Sequence, residues 1–410
     1  MWSMLKFIFY ALIVGLLIIF YAPREFVFDI WNKIKNFDFF ENEEEVEEIE
    51  SQGNLSAKKI KRLIIKTEQR DVGNTLGWGE DIKSTLSELN LPQDKKNVCS
   101  VIAVIAQESS FRANPSVANL SGQLEKRVKD IDDKIPDILG FKLKDFLKKY
   151  PSPEDNYYAK LHKARTEKDV DMIYRTIMTD HANPLVLKML TPLIENMNKV
   201  DTVGSMQVAV AYAIDVEEKK GNSLDLDEIW DLRDYMYSRK GGIFYGTHLL
   251  LTYPASYDKQ IYRFADFNAG RYSSRNASIQ KIVNELLPKG EKIAQDGDLL
   301  SHSDFNPISA LATSDTEDAM RRVIRKYGMP LDDAQLKQDL LKEKELDFEK
   351  TLTYETFRKT YKALKGKNAP YAIIPSIELH SEKVSRILTT EHFAGNVNKR
   401  YQRCMSVKKR

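Results

Sequence analysis

The chain has 410 residues, of which 42% are hydrophobic and 30% are charged. This length suggests two or three domains with a substantial core and a heavily charged surface. The formal net charge of +2 gives no argument for a nucleic-acid partner, and none is predicted.

The first predicted element is an apolar segment, Phe7 to Ala22, which holds 16 residues without a charge. As a helix it would span about 24 Å. That is shorter than a hydrocarbon core of about 30 Å unless Leu5 and a snorkelling Lys6 are included. A cleaved signal peptide is the alternative interpretation. We expect an uncleaved transmembrane signal-anchor over residues 1–24, because cleavage after Ala22 would lack the small residue that it needs.

A juxtamembrane amphipathic segment and an acidic linker are predicted over residues 25–56. Phe26, Ile30 and Ile34 recur at helical spacing, which fits either a helix lying on the membrane or an extension of the anchor helix. The stretch from Glu41 to Glu50 then contains seven glutamates in ten residues. Such a composition is typical of a solvated, flexible linker.

The rest of the chain is predicted to be helical almost throughout, because strand-like alternation is scarce. We expect a main domain over residues 57–298 and a helical C-terminal extension over residues 299–410. Turns are predicted where proline or glycine interrupts the pattern, among them Lys240 to Ile243. The C-terminal extension has no motif that indicates a chemistry, so it would either cover part of the main domain or bind a partner.

The cysteines and histidines indicate no metal site. Cys99 lies in an apolar segment and is most simply a buried thiol, whereas a disulfide to Cys404 would need an oxidising compartment. The six histidines form no H-x-x-x-H pair, and no glycine-rich phosphate loop is present. We therefore expect neither a metal nor another cofactor.

In one segment a single carboxylate follows an apolar helix. The residues from Val98 to Ile105 are apolar on more than one helical face, and Glu108 follows them. A helix that is apolar all round is buried. A carboxyl group at the end of such a helix tends to stay protonated near neutral pH, as a general acid must. The alternative is that Glu108 is only the first surface residue after a core helix.

A second segment places a polar amide beside a glycine. Gly204 would allow a tight turn and a close approach to a ligand. Met206 would supply adaptable apolar contact, and Gln207 an amide that suits the N-acetyl group of a sugar. The alternative is a helix N-terminus with a packed methionine.

A third segment contains Asn268, followed two residues later by Gly270. A buried asparagine must be hydrogen-bonded, either to the protein or to a ligand. The alternative is a helix C-cap, for which Asn-Ala-Gly is a common sequence.

Taken in order, the three segments resemble the soluble-type lytic transglycosylases. That family shows E-S-x-F, then G-L-M-Q-[IV], then A-Y-N-A-G. Here ESSF (Glu108 to Phe111) matches the first block, GSMQV (Gly204 to Val208) differs from the second at one position, and DFNAG (Asp266 to Gly270) differs from the third at its first two positions. Gly246 also falls at a family glycine. The resemblance covers about residues 95–285, and the whole chain is expected to resemble a poorly described bacterial envelope-protein family that carries such a domain.

The resemblance implies a mainly α, lysozyme-like (goose-type) helical domain. In it Glu108 would be the catalytic acid, and Ser109 would help to orient the acid or the substrate. Met206 and Gln207 would line the saccharide cleft, and Asn268 would touch the acid or the substrate. The implied partner is the peptidoglycan glycan strand. The implied location is the bacterial inner membrane, crossed once by the anchor, with the body in the periplasm.

The reaction implied is cleavage of the β-1,4 bond between N-acetylmuramic acid and N-acetylglucosamine. Ordinary glycoside hydrolysis uses two carboxyl groups, and only Glu108 is convincing here. One suffices if Glu108 protonates the leaving oxygen and the substrate's acetamido group stabilises the cation. Glu108 then takes a proton from the C6 hydroxyl, which closes a 1,6-anhydro ring. A lysozyme-like hydrolase and a catalytically inactive peptidoglycan-binding scaffold are the alternatives.

The sequence departs from the family in two places. Glu108 and Met206 are 98 positions apart, so a large helical insertion is expected over about 113–200, with helices near 121–135, 142–150, 169–178 and 186–197. In the third block Phe267 lacks the hydroxyl of the family's tyrosine, and Tyr262 is a candidate replacement. Asp266 is expected on the helix surface; in the cleft it would act as a second carboxylate.

Overall fold

The computed structural model describes residues 54–135, 142–181, 198, 200–221, 223–300, 313–379 and 388–408. The predicted anchor, the amphipathic segment and most of the acidic linker therefore lie outside the described residues. Within those ranges no helix is both long and apolar enough to cross a membrane.

The mainly α class is confirmed, since the described part of the chain contains sixteen α-helices. The first eight are α1 (Ala57–Glu68), α2 (Thr75–Glu88), α3 (Lys95–Glu108), α4 (Leu120–Asp132), α5 (Leu143–Lys149), α6 (Tyr157–Lys163), α7 (Glu167–His181) and α8 (Val210–Glu218). The next eight are α9 (Leu226–Tyr237), α10 (Arg239–Leu251), α11 (Gln260–Ala269), α12 (Ser273–Leu286), α13 (Asp315–Tyr327), α14 (Asp333–Leu340), α15 (Leu352–Lys365) and α16 (Thr390–Ser406). A 3-10 helix, Leu346–Lys350, precedes α15.

Two short antiparallel hairpins complete the described structure. Strands β1 (Thr202–Val203) and β2 (Val208–Ala209) pair with Thr202 opposite Ala209 and Val203 opposite Val208. Strands β3 (Glu378–Leu379) and β4 (Leu388–Thr389) pair directly before α16. The first hairpin holds the predicted glycine turn.

Helix α3 forms the centre of the main core. Every residue from Val98 to Ala106 is buried, because an apolar surface on all sides needs neighbours on all sides. Helices α1, α10 and α16 pack against it. Helix α16 supplies Phe393, Val397 and Tyr401 to this same core, so its apolar face covers the main domain.

A second core lies between α12 and the chain that follows it. Ile282 of α12, Met320 of α13, Leu336 of α14 and Phe357 of α15 are all fully buried in this cluster. Ala369, after α15, is the last described residue of this second core, and α16 packs against α3.

The predicted insertion has a small core of its own. Val128 of α4, Leu147 of α5 and Tyr157 of α6 are its buried members. Three of the four predicted helices are confirmed as α4, α5 and α7, and the fourth, near 186–197, lies outside the described residues. Helix α6 was not predicted.

The predicted turn at Lys240 to Ile243 is wrong, because these residues lie inside α10. Ser238 caps the helix by accepting a hydrogen bond from the Gly241 N–H at 3.0 Å. A β-carbon on Gly242 would lie 2.7 Å from the backbone nitrogen of Ser205. The glycines in α10 therefore serve close packing rather than a turn.

Candidate active site

Glu108 is the last residue of α3 and is half-buried. Asp94 caps the start of this helix by accepting a hydrogen bond from the Asn97 N–H at 2.8 Å. Nine consecutive buried residues, Val98 to Ala106, then fix the helix in the core. Glu108 therefore stands at the C-terminal end of a deeply buried helix, as the sequence predicts.

Ser109 terminates α3 by hydrogen bonds to the backbone. Its hydroxyl donates to the Ile105 carbonyl at 3.1 Å and accepts from the Arg112 N–H at 3.3 Å. The side chain is 5% exposed. Ser109 thus holds the turn that follows Glu108, and this is how it would orient the acid.

The turn after Glu108 has an unusual backbone conformation. Ser110 and Phe111 have φ values of 50° and 62°, a left-handed region that costs about 1–2 kcal/mol for each residue with a β-carbon. Phe111 is 3% exposed and packs edge-on against Trp78, with ring centroids 5.3 Å apart. Burial of this ring offsets the backbone cost. Such strained positions cluster at functional sites.

The segment Gly204 to Gln207 is the turn of the β1–β2 hairpin, so the helix of the alternative interpretation begins only at Val210, whereas its packed methionine is confirmed. Gly204 has φ +80°, and a β-carbon there would lie 2.5 Å from the Met236 carbonyl oxygen. Gln207 Nε2 donates to the Gly204 carbonyl at 3.1 Å, while Thr202 Oγ1 donates to Gln207 Oε1 at 3.4 Å. The Gln207 amide is half-buried and held in one orientation by its own turn.

Met206 lies in the core rather than on a cleft wall, which corrects the expected direct contact with a saccharide. Its side chain is fully buried. A β-carbon on Gly246 of α10 would collide with the Met206 side chain. The absence of a side chain at Gly246 therefore makes room for Met206, which supports the Gly204–Gln207 turn from below.

Asn268 lies in the last turn of α11 and is half-buried. Its Oδ1 accepts a hydrogen bond from Thr390 Oγ1 of α16 at 3.0 Å. Gly270 ends the helix with φ +99°, so the predicted C-cap is also present. Phe267 stacks on Phe393 of α16, with centroids 6.5 Å apart and 9° between the ring planes.

Tyr262 does not lie on the same helical face as Asn268. It precedes Asn268 by six positions, which corresponds to about 240° around an α-helix. Its ring packs instead against Tyr257, with centroids 5.6 Å apart. A role in place of the family's tyrosine therefore gains no support from its position.

The expected surface position of Asp266 is wrong, because its side chain is completely buried. It accepts hydrogen bonds from the Tyr257 and Tyr253 hydroxyls at 2.6 and 3.0 Å, and from the Tyr272 and Ser274 N–H groups at 3.0 and 2.7 Å. Burial raises the pKa of this carboxyl group. Asp266 fixes the turn between α11 and α12 and is not a second cleft carboxylate.

Helix α16 contacts both helices that carry the predicted site residues. Arg400 donates to Oε1 of Gln107, the residue before Glu108, at 2.9 Å. Thr390 contacts Asn268 on α11. Cys404 forms a disulfide with Cys99 of α3, with Cα atoms 5.6 Å apart. The thiol interpretation of Cys99 is therefore corrected, since the two cysteines are bonded.

A buried ion cluster holds the chain where it passes from the insertion to the β1–β2 hairpin. Asp171 of α7 is fully buried and pairs with Arg175 and Arg233. Arg233 of α9 also donates to the Val200 carbonyl at 3.0 Å. Because unpaired charges are expensive to bury, this cluster fixes the chain that enters β1. Within the described ranges no group of three or more acidic, histidine or cysteine side chains is arranged to hold a metal ion.

Comparison with known proteins identifies the family. The family described as "Protein of unknown function (DUF1615)" matches residues 44–407. The chain belongs to the DUF1615 family. It is 35% identical over 332 residues to the "Uncharacterized protein YaiW" of Escherichia coli (strain K12), a match that covers 80% of this chain and 84% of the relative. No solved structure matches the chain significantly.

The DUF1615 match extends through α16, beyond the part of the chain that resembles the transglycosylases. The contacts of Thr390 with Asn268 and of Arg400 with Gln107 were not predicted, because the tail carries no motif of its own. The one available signal was the cysteine pair, which links Cys404 to the helix that bears Glu108.

Proposed function

We propose that this DUF1615 protein is a peptidoglycan lytic transglycosylase with a lysozyme-like helical fold. It would cleave the β-1,4 bond between N-acetylmuramic acid and N-acetylglucosamine and form a 1,6-anhydro end. Glu108 would be the sole general acid and base. The protein would be anchored in the bacterial inner membrane by residues 1–24, with its body in the periplasm and peptidoglycan strands as its substrate.

The observation that carries the proposal is the position of Glu108 in the ESSF block. Glu108 is the last residue of a helix in which nine consecutive residues, Val98 to Ala106, are all buried. The next two backbone positions after Ser109 are left-handed. The buried helix and the turn that follows it keep Glu108 in one place, as a general acid requires.

The buried position of Asp266 agrees with a mechanism that uses a single carboxylate. That residue is fully buried among tyrosine hydroxyls and backbone N–H groups, so it is unsuited to activate a water molecule. With one carboxylate, Glu108 first donates a proton to the leaving oxygen. It then accepts the proton of the C6 hydroxyl as that oxygen attacks C1. The products together contain every atom of the substrate, and no water is consumed.

The proposed location gains support from the Cys99–Cys404 disulfide. Structural disulfides persist in oxidising compartments such as the bacterial periplasm and are rare in the cytosol.

The decisive test is the release of anhydro-muropeptides from purified cell-wall sacculi, measured by mass spectrometry. The Glu108→Gln variant keeps the shape of the side chain but removes the titrating group. We expect its rate to fall by about 100-fold or more, as for the loss of a general acid. The matched control is Glu88→Gln, the same change at the last residue of α2, which should digest sacculi at the wild-type rate.

Each other outcome selects a different function. If Glu108→Gln releases product as fast as the wild type, the catalytic assignment is wrong. Reducing ends in place of anhydro ends would identify a lysozyme-like hydrolase. Binding to sacculi without any release by the wild type would identify a non-catalytic scaffold.

A further inference from the structure

Thr390 is fixed at the point where α16 begins. Its side chain is fully buried, and its backbone N–H donates to the Ile377 carbonyl at 3.1 Å. The hydroxyl donates to Asn268 Oδ1 at 3.0 Å. Thr390 therefore offers Asn268 a hydrogen-bond donor from an immobile position.

The direction of this hydrogen bond determines what the Asn268 amide offers to a ligand. A carboxamide has an acceptor end, the oxygen, and a donor end, the NH2 group. Thr390 engages the oxygen, so Nδ2 with its two N–H groups is turned away from α16. No hydrogen bond joins Nδ2 to another residue within the described ranges, and the side chain is half-exposed.

Two ring contacts, both on the C-terminal side of Thr390 along α16, keep α11 and α16 in register. Phe267 stacks on Phe393. Phe264 packs against Tyr401, with ring centroids 5.6 Å apart. Because these rings lie along the shared surface of the two helices, neither helix can slide without separating them. The amide of Asn268 is therefore held by a rigid surface rather than by a mobile tail.

We propose that Thr390 is a positioning residue, which orients Asn268 so that Nδ2 donates a hydrogen bond to a carbonyl oxygen of a bound N-acetylated glycan. The acceptor is the acetamido oxygen of a sugar unit beside the cleaved bond. The inference rests on the proposed function, since it names a substrate contact of the same site. It also gives the C-terminal helix a part in substrate recognition.

The test measures binding of chitotetraose, a tetramer of N-acetylglucosamine, by calorimetry. It uses the full chain with Glu108→Gln, so that no turnover occurs. Thr390→Val removes the donor and leaves the Asn268 amide free to rotate. We expect binding about five- to tenfold weaker, the usual effect of one neutral hydrogen bond.

Matched variants separate orientation from packing. Thr390→Ser keeps the hydroxyl and should bind within about twofold of its parent, since the donor remains. Asn268→Asp still accepts from Thr390 but presents a carboxylate oxygen where Nδ2 was, so it should bind at least as weakly as Thr390→Val. With Glu108 intact, Thr390→Val should raise KM by a similar factor and leave kcat and the pH profile unchanged.

Several results would overturn the inference. It fails if Thr390→Val or Asn268→Asp binds as tightly as the parent, or if the parent does not bind chitotetraose. It also fails if Thr390→Ser is as weak as Thr390→Val, or if kcat falls while KM stays constant. Should Thr390→Val not fold, Asn268→Asp and Thr390→Ser decide the matter. The proposed function is judged separately, by sacculus digestion with Glu108 intact and replaced.

Discussion

At the scale of single residues, Gly246 and Met206 pack closely beside the candidate site. A β-carbon on Gly246 would approach Met206 Cβ to 2.5 Å and its sulfur even more closely. Met206 is fully buried in the main core. The hairpin turn that carries Gln207 therefore depends on the absence of one methyl group.

The Gly246→Ala variant should consequently lose stability. We expect a fall of about 1–3 kcal/mol in the free energy of unfolding, the usual effect of overpacking a filled core. Urea denaturation followed by circular dichroism would measure it.

Gly395→Ala is the matched control, because Gly395 also lies inside a helix and a β-carbon there would meet nothing within 4 Å. This variant should keep wild-type stability or gain about 0.4–1 kcal/mol, since alanine lowers the entropy of the unfolded chain. Equal destabilisation by both substitutions would show that contact with Met206 is not the cause.

The sequence predicts some site residues well and others poorly, for physical reasons. The burial of α3 and the position of Glu108 follow from a local pattern, because a helix apolar on every side has only one stable location. The burial of Asp266 was mispredicted, because its partners include the hydroxyls of Tyr253 and Tyr257, which lie outside its helix. Such contacts exist only after the fold has formed.

At the scale of elements, His248 joins three pieces of the main domain. Its Nδ1 lies 2.7 Å from the Tyr212 hydroxyl of α8, and its backbone carbonyl accepts from Arg271, which follows α11, at 2.6 Å. Burial lowers the pKa of His248 to about 4, and the positive charge of Arg271 acts in the same direction. The folded protein therefore holds this histidine neutral.

The lowered pKa of His248 makes the stability of the fold depend on pH. The unfolded chain binds a proton on His248 below a pKa near 6.5, whereas the folded chain resists protonation down to about 4. The unfolded state thus carries more protons between these values, and stability falls as the pH falls through this window. Above pH 6.5 the full contribution is present.

The His248→Gln variant should flatten the pH dependence of stability between pH 6.5 and 4. Thermal unfolding at a series of pH values would show a smaller drop in Tm than in the wild type. His392→Gln, at an exposed position on α16, should keep the wild-type slope. If the two variants have the same slope, the pH dependence arises elsewhere.

Helix α10 shows why the elements were not all predictable. Two adjacent glycines suggest a turn from local propensity alone, yet Gly241 and Gly242 lie in the first turns of a helix capped by Ser238. The reason for glycine becomes clear only from the packing of the β1–β2 hairpin, which lies too close to leave room for a β-carbon at Gly242. Tertiary packing overrode the local signal.

At the scale of the whole molecule, the Cys99–Cys404 disulfide joins positions 305 residues apart. It connects α3 to α16, the two helices whose contact also involves Gln107 and Arg400. A cross-link over so long a loop restricts the unfolded chain strongly.

Replacing both cysteines with alanine should lower the free energy of unfolding by about 2–5 kcal/mol. Guanidinium denaturation would measure the change. A reducing agent should bring the wild type down to the variant's level and leave the variant itself unaffected. If the wild type and the variant unfold at the same denaturant concentration, the disulfide does not contribute to stability.

The order of the three motifs along the chain was visible in the sequence. The packing of α16 against the helices that carry two of them was not. The resemblance ends near residue 285, and the helices beyond it carry no pattern that specifies where they pack. The return of α16 to α3 follows from surfaces that meet in three dimensions, chiefly Phe393, Val397 and Tyr401 against the main core. Only the second cysteine hinted at it.

The position of α16 has a consequence for the order of synthesis. Glu108 and its helix leave the ribosome early, whereas the helix that covers them includes Cys404, made 305 residues after Cys99. Until then the apolar side of α3 has no neighbour there, and the nascent chain must keep that surface from aggregating. The acid is thus translated long before its surroundings are complete, and an interrupted chain would carry the ESSF block without a finished site.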